Sequence, residues 1–452
     1  MKHWRKNLLF RAGFYLALSL FLSPVMTQAG EAAAPAAESS AAQTEAPPRD
    51  KVLRLDDAVR IALENHPNLR VARERVGAQQ AVLGQEFAAY YPTVRLSNFY
   101  RTSTSSGTTT TTQEAFDFFS SQASFDMTLY NFGKREGAVQ SARDSVEATQ
   151  YNLRASVNDV VLAVKQAYYG YLQAQALVRV RGETVKNREL LVRQARGFFE
   201  VGTRAKIDVA RAEANLYGAQ ADLIAAQNAV KIAWTTLKNA MGMPDLPEQP
   251  VAEDLAIPPV SLPIDRARQI AFDSRPELRG FEAQRKAQDE KIAAARRGHL
   301  PDILFSADYG RRNTSRGGNT FPLQLTWQVQ LSLNIPIFDG FRTTHKVEEA
   351  LRNYHSVRAQ EEEKKQQVAL EVEQSYVNLV NAQERIKATD SAEQAAKENF
   401  DLATGRYQVG VGSIIEVTDA QTLYTDAQTN HIRSLYDYKI AEAQLIRAMG
   451  RQ

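Results

Sequence analysis

Residues 323–335 read LQLTWQVQLSLNI, and the alternation is complete. Leu323, Leu325, Trp327, Val329, Leu331, Leu333 and Ile335 take the odd places. Gln324, Thr326, Gln328, Gln330, Ser332 and Asn334 take the even ones. A helix would scatter the apolar set around its circumference, whereas a strand puts all of it on one face. The same period of two runs through Ile303, Phe305, Ala307 and Tyr309, and through Ala123, Phe125, Met127 and Leu129. Val94, Leu96 and Tyr100 continue it, with Asn98 as an interruption. Four strands are expected, about 93–104, 119–131, 302–311 and 322–336, in two pairs joined by polar loops. Strands of about ten residues with one apolar and one polar face suit the wall of an outer-membrane barrel. A soluble sheet packed on a core alternates identically, so the strands alone leave both readings open.

The flanking chain favours the membrane. Lys2, Arg5, Lys6 and Arg11 precede an apolar run from Phe14 to Leu22, and Thr27-Gln28-Ala29 supplies small residues at a cleavage position. The run is shorter than the ~20 residues a spanning helix needs, so residues 1–29 read as a signal peptide. Residues 30–50, rich in Ala, Pro, Ser and Glu, read as a flexible leader. No other uncharged apolar stretch approaches spanning length, so an exported membrane form would use strands. Proline is absent from 93 to 243 and from 337 to 452, which permits very long helices. One is expected from roughly Lys134 to Phe198, followed by a glycine turn and a helix of about 35 residues.

The chain is written twice. LDDAVRIALENHPNL (55–69) lines up with IDRARQIAFDSRPEL (264–278), and GFFEVGTRAKIDVARAE (197–213) with GRYQVGVGSIIEVTDAQ (405–421). Two domain-sized copies are expected, 51–242 and 264–450, each with two strands and a long helical hairpin. Their tips fall near 199–206 and 407–414. Six of the sixteen prolines crowd the connector 243–263. Four strands leave two open edges, which hydrocarbon does not tolerate, and about eight strands is the smallest membrane barrel. Several chains must share one barrel, eight strands for two chains or twelve for three, and the polar inner row favours the wider one.

This plan, with the strand-to-helix junctions LYNFGKR (129–135) and IFDGFR (337–342) and the paired Val-Gly turns, resembles the TolC-like outer-membrane efflux proteins over roughly residues 51–450. The resemblance implies a membrane β-barrel plus a long α-helical barrel. It implies a homotrimer with four strands per chain, a twelve-stranded barrel in the outer membrane and coiled-coil hairpins in the periplasm. It further implies an exit duct for a tripartite efflux pump or a type I secretion system. The implied partners are a periplasmic adaptor, an inner-membrane pump or ABC transporter reached through it, and outer-membrane lipid. The connector would form part of an equatorial belt, and a chain ending two residues after Gly450 implies a thin one.

Gly202 and Gly410 are expected to stop their helices in the left-handed conformation. By resemblance, Asp208, Tyr407, Glu416 and Asp419 fall on the periplasmic gate. Val201, Gly202, Thr203 and Arg204, with Val409, Gly410, Val411 and Gly412, fall on the adaptor-docking tips. The family often has an arginine two residues after the second-copy glycine; here that place is Gly412, and an arginine stands instead at Arg204 of the first copy. The closing network is therefore not expected unchanged. From the residues alone, carboxylates in a first helical turn are favoured by the helix dipole, and Ser413-x-x-Glu416 has capping-box spacing.

Removing residues 1–29 takes the formal charge from +3 to −1, so no nucleic-acid partner is expected. Cysteine is absent, which excludes disulfides, thiol chemistry and lipidation of an N-terminal cysteine. The histidines show no metal-ligand spacing and no GxSxG or phosphate loop occurs, so no enzyme, cofactor or metal is expected. The competing reading is a periplasmic coiled-coil adaptor without a barrel.

Overall fold

The computed structural model describes residues 52–105, 114–253, 255–259, 261–316, 319–320 and 322–451; the expected signal peptide (1–29) and flexible leader (30–50) lie outside the described residues. In the first copy, α1 (Leu55–Asn65) and α2 (Pro67–Ala88) lead to β1 (Thr93–Ser105) and β2 (Glu114–Tyr130), then to α3 (Lys134–Glu200) and α4 (Lys206–Ala240). The second copy repeats the order. In it, α5 (Ile264–Ser274), α6 (Pro276–Arg296) and a short 3-10 turn (Arg297–His299) precede β3 (Asp302–Arg316), β4 (Asn319–Thr320) and β5 (Gln324–Asn334). The helices α7 (Arg342–Gln408) and α8 (Ile414–Ala448) close it. Pro67 and Pro276 start their helices and end the preceding ones, because a residue before proline disfavours helix.

β1, β2, β3 and β5 form one antiparallel sheet in that order, with two-residue β4 beside β3. The register aligns the apolar sets of all four strands. Leu96 faces Ala123, Ala123 faces Tyr309, and Tyr309 faces Trp327. Val94, Phe125, Ala307 and Val329 form the row below it. Trp327 is 72% exposed, Leu331 67% and Leu333 60%. A soluble sheet would bury this row against a core; among the described residues nothing covers it. The strands run further than sequence suggested. β2 begins at Glu114 instead of 119, and β3 continues to Arg316 instead of 311. Ladder pairing such as Thr102 with Asp117 continues through polar residues, so loss of apolar alternation did not mark the strand ends.

Each 67-residue helix, α3 and α7, extends ~100 Å at 1.5 Å per residue. Both start from left-handed pairs, Phe132-Gly133 and Gly340-Phe341. Asn131 Oδ1 accepts from the Arg135 N–H at 3.2 Å, and Asp339 Oδ2 from the Thr343 N–H at 2.9 Å, satisfying first-turn donors that have no helical partner. An aromatic phenylalanine in that backbone region is costly, and it recurs at both sheet-to-helix corners.

Three separate apolar clusters join the helices. One gathers Leu69, Val164, Leu172, Trp234, Leu237 and Met241; a second holds Leu278, Val368, Val372, Leu379 and Leu445. Each fully buried Leu or Val contributes roughly 1.5–3 kcal/mol. Between them runs the proline-rich connector, near the middle of α3. Leu53 donates to Pro250 O at 2.8 Å, and Tyr168 donates to Ala252 O at 2.6 Å. Tyr171 donates to Glu248 at 3.2 Å and Tyr436 to Glu253 at 2.7 Å, while Tyr438 donates to Pro258 O. Burial, reinforced by Glu248, pushes the Tyr171 hydroxyl up to about 12, so it stays a donor. The third cluster lies at the hairpin tips.

Candidate functional site at the hairpin tips

Both tips end by the same device. Gly202 and Gly410 have φ of 76° and 85°. Thr203 N–H closes on Phe198 O at 2.9 Å and Gly202 N–H on Phe199 O at 3.0 Å. Val411 N–H closes on Arg406 O at 3.0 Å and Gly410 N–H on Tyr407 O at 3.1 Å. These are paired Schellman bonds, which need a left-handed residue and so select glycine. Val201, Val409 and Val411 are 71%, 73% and 69% exposed, leaving three bare apolar side chains on adjacent turns.

Below the turns the two hairpins meet. Leu191, Val192, Ala195 and Ala212 of the first share a core with Ala403, Tyr407, Ile414, Val417 and Ala420 of the second. Tyr407 is fully buried, with Phe198 edge-on at 5.5 Å between ring centres. Its hydroxyl has no hydrogen-bond partner among the described residues. Burial raises its pKa, the Asp208 charge adds to this, and Arg204 opposes it. Its repeat equivalent, Phe199, is 43% exposed, because the same face of the first hairpin is left uncovered among the described residues.

Arg204 joins the tips. Its Nη2 donates to Gly410 O at 3.0 Å and to Gly412 O at 2.6 Å, and its guanidinium lies 5.7 Å from the Tyr407 ring centre. Gly412 is buried, and a Cβ there would lie 2.9 Å from Tyr407 N. The second tip thus has no room for an arginine at 412, and the first tip supplies one.

The carboxylates divide. Asp208 sits in the first turn of α4 without a side-chain cap at Ala205. Ser413 Oγ accepts from the Glu416 N–H at 3.2 Å, one half of the capping box. The Glu416 carboxylate instead pairs with Arg406 at 3.1 Å, an exposed ion pair. Asp419 is exposed on the next turn. Sequence reasoning did not single out Arg188. It is buried between α3 and α8, where its Nη2 donates to Thr418 O at 3.3 Å and to Thr422 Oγ1 at 3.0 Å. Burial lowers its pKa and the Asp419 charge partly offsets this. Its place in a run of alternating charge, Lys186-Asn187-Arg188-Glu189, gave no sign that it turns inward.

A sheet bare on its apolar face, polar on the other and carried on hairpins of this length defines an outer-membrane channel subunit. The chain belongs to the outer membrane efflux protein family, whose model matches residues 58–243 and again 267–451, once per copy. It is 25% identical over 405 residues to the probable efflux pump outer membrane protein TtgC of Pseudomonas putida, covering 88% of this chain and 82% of that one. It is 26% identical over 399 residues to the outer membrane protein TolC of Vibrio cholerae, covering 86% and 89%. Its fold is similar to the solved outer-membrane channel OprN, with a TM-score of 0.75, 19% identity, and 88% and 90% of the two chains covered. The protein is an exit duct of the outer membrane. A barrel-less periplasmic adaptor has no support.

Proposed function

We propose that three copies close a twelve-stranded barrel whose lumen continues into a tube of six helical hairpins. The observation that carries this is the four-stranded sheet with an uncovered apolar row and two unpaired edges, β1 and β5. Such edges need partners inside a bilayer, and exact repetition of one chain supplies them by a closed rotation. The duct is passive: a periplasmic adaptor docks on the bare valines of the tips, and an inner-membrane pump or ABC transporter behind it drives the cargo. Relatives named for efflux pumps favour the pump. The connector 243–263, held by four tyrosines, forms the equatorial belt.

In the resting duct the tips are held together by Arg204, with Tyr407 and Asp208 beneath it, while Glu416 and Asp419 line the entrance. Opening draws the second hairpin away from the first and strips Arg204 from its two carbonyls. Photo-crosslinkers placed at Val201 and Val411 in living cells test the docking surface directly. The expected capture is a periplasmic adaptor from both positions; no adduct from either would remove the tips from the docking surface.

A further inference from the structure

The lumen-side face of the sheet is polar along most of its length, and one level departs from that. Phe99 pairs with Ser120 and Ser120 with Arg312; one step outward, Arg101 pairs with Phe118. All four named side chains, Phe99, Arg101, Phe118 and Arg312, lie on the face opposite the bare apolar row, because alternate residues of a strand point to opposite faces. Phe99 and Phe118 touch, with ring centres 5.4 Å apart, and the Arg101 guanidinium lies 6.0 Å from the Phe99 ring centre. Phe99 remains 42% exposed, so the pair is not a sealed core.

Among the described residues no carboxylate pairs with Arg101 or Arg312. The nearby Asp117 is on the other face, where its Oδ1 accepts from the Tyr100 hydroxyl at 2.8 Å. Asp308, the nearest carboxylate on the lumen side of β3, lies four residues below Arg312, roughly 14 Å along the strand. That exceeds the screening length of physiological salt, about 8 Å. Between them stands Gly310, whose added Cβ would collide with the backbone oxygen of Ser121, so that level of β3 carries no side chain.

Resting on the duct reading above, we propose that this level is a binding band for aromatic anions on their way out. Three copies would set six arginines and six phenylalanines around the lumen, in the half of the sheet away from the helices. Rings offer stacking surface and arginine both charge and a flat face for it. A flat sulfonate or carboxylate with an aromatic body fits both; a cation or an aliphatic anion fits one or neither.

The test is single-channel recording of purified wild-type protein in planar bilayers, with hydroxypyrene trisulfonate added on the barrel side. Wild type is expected to show concentration-dependent block. Arg101→Gln with Arg312→Gln should weaken it about tenfold or more, as expected when two charge-assisted contacts to the anion are lost. Phe99→Leu with Phe118→Leu keeps apolar bulk and removes the rings; it should weaken block by the pyrene probe and leave the effect of sulfate unchanged. Pores of wild-type conductance that both variants leave equally blocked overturn the band alone. Absence of pores in the wild type overturns the duct reading beneath it.

Discussion

Arg204 and Gly412 occupy equivalent positions of the two copies, 208 residues apart, and they are hydrogen-bonded to each other at 2.6 Å. One copy spends its side chain on the other copy's backbone. The sequence duplication is therefore asymmetric where the tips meet, and the asymmetry is functional in the proposed resting state. Arg204→Ala removes both carbonyl contacts and the cover over Tyr407. We expect raised resting conductance of purified channels and increased uptake of large antibiotics in cells, with oligomer yield unchanged. Arg204→Lys should recover little, since one ammonium lacks the guanidinium's planar fork.

Gly412 tests the same contact from the other side. Gly412→Ala places a Cβ 2.9 Å from Tyr407 N and 3.0 Å from Arg406 C, both backbone atoms that cannot give way cheaply. The variant should loosen the second tip and resemble Arg204→Ala in conductance. By contrast, Gly410→Ala meets nothing within 4 Å, and its cost of about 1 kcal/mol is the left-handed backbone alone. A milder phenotype at 410 than at 412 is the expected order.

Glu416 and Asp419 are separable. In a threefold assembly they would give two stacked rings and up to six negative charges. Trivalent cations added from the tip side should block the closed duct, and Glu416→Ala with Asp419→Ala should abolish that block. Glu416→Gln cannot pair ionically with Arg406 and should lose part of the block while keeping the Ser413 cap, which uses backbone N–H. If the double variant is blocked like wild type, these residues are helix-start carboxylates only.

A partly buried ion cluster ties the end of α5 to α7 and α8 in the second copy. Arg275, fully buried, donates to Ala448 O at 2.8 Å and to Glu371 at 2.5 Å, and Arg447 joins Glu371 at 3.0 Å. Burial acts to raise the Glu371 carboxyl, but Arg275 and then Arg447 overcome it and hold it below the usual carboxylate range. A carboxyl lowered by folding stabilises above its unfolded pKa, and that contribution disappears as pH falls through the lowered value. Glu371→Gln should cost about 2–3 kcal/mol near neutrality, the lower side of a broken buried pair because Glu277 remains 3.8 Å from Arg275. Thermal melts in detergent should show the gap between wild type and variant closing below about pH 4.

The parts of this fold carried by periodicity were readable in advance. Alternation from Leu323 to Ile335, proline-free runs and the two Val-Gly turns give four strands, two long helices and two left-handed glycines. What sequence could not provide was contact across the copies. Tyr407, placed on the gate by resemblance alone, is buried because the second hairpin turns that face toward Phe198, while equivalent Phe199 stays exposed. The displacement of the arginine to Arg204 is explained only by the contact it makes with Gly410 and Gly412 across the tips. Arg188 lay hidden among surface charges, and nothing local distinguishes Tyr168, Tyr436 and Tyr438 as the residues that pin the connector.

The lipid-facing row can be probed separately. Trp327→Arg or Val329→Arg should cost ~2–4 kcal/mol per chain near the bilayer midplane, while Gln328→Arg or Gln330→Arg on the lumen side should cost little. Heat-sensitive oligomer on gels of outer-membrane fractions reports the difference. Equal tolerance at both faces would mean that the strands are not a barrel wall.

The most direct test of a shared barrel uses the absence of cysteine from the chain. β1 and β5 are separated by two strands, so their Cα atoms stand roughly 14 Å apart within one copy, beyond the 4.4–6.8 Å of a disulfide. Any bond between them must therefore join two chains. Ser97→Cys is combined in turn with Gln324→Cys, Thr326→Cys and Gln328→Cys, and outer membranes are oxidised and run without reductant. The account predicts, for at least one register, a covalent ladder that stops at three chains. No disulfide at any register, or a ladder that stops at two chains or continues beyond three, would contradict it.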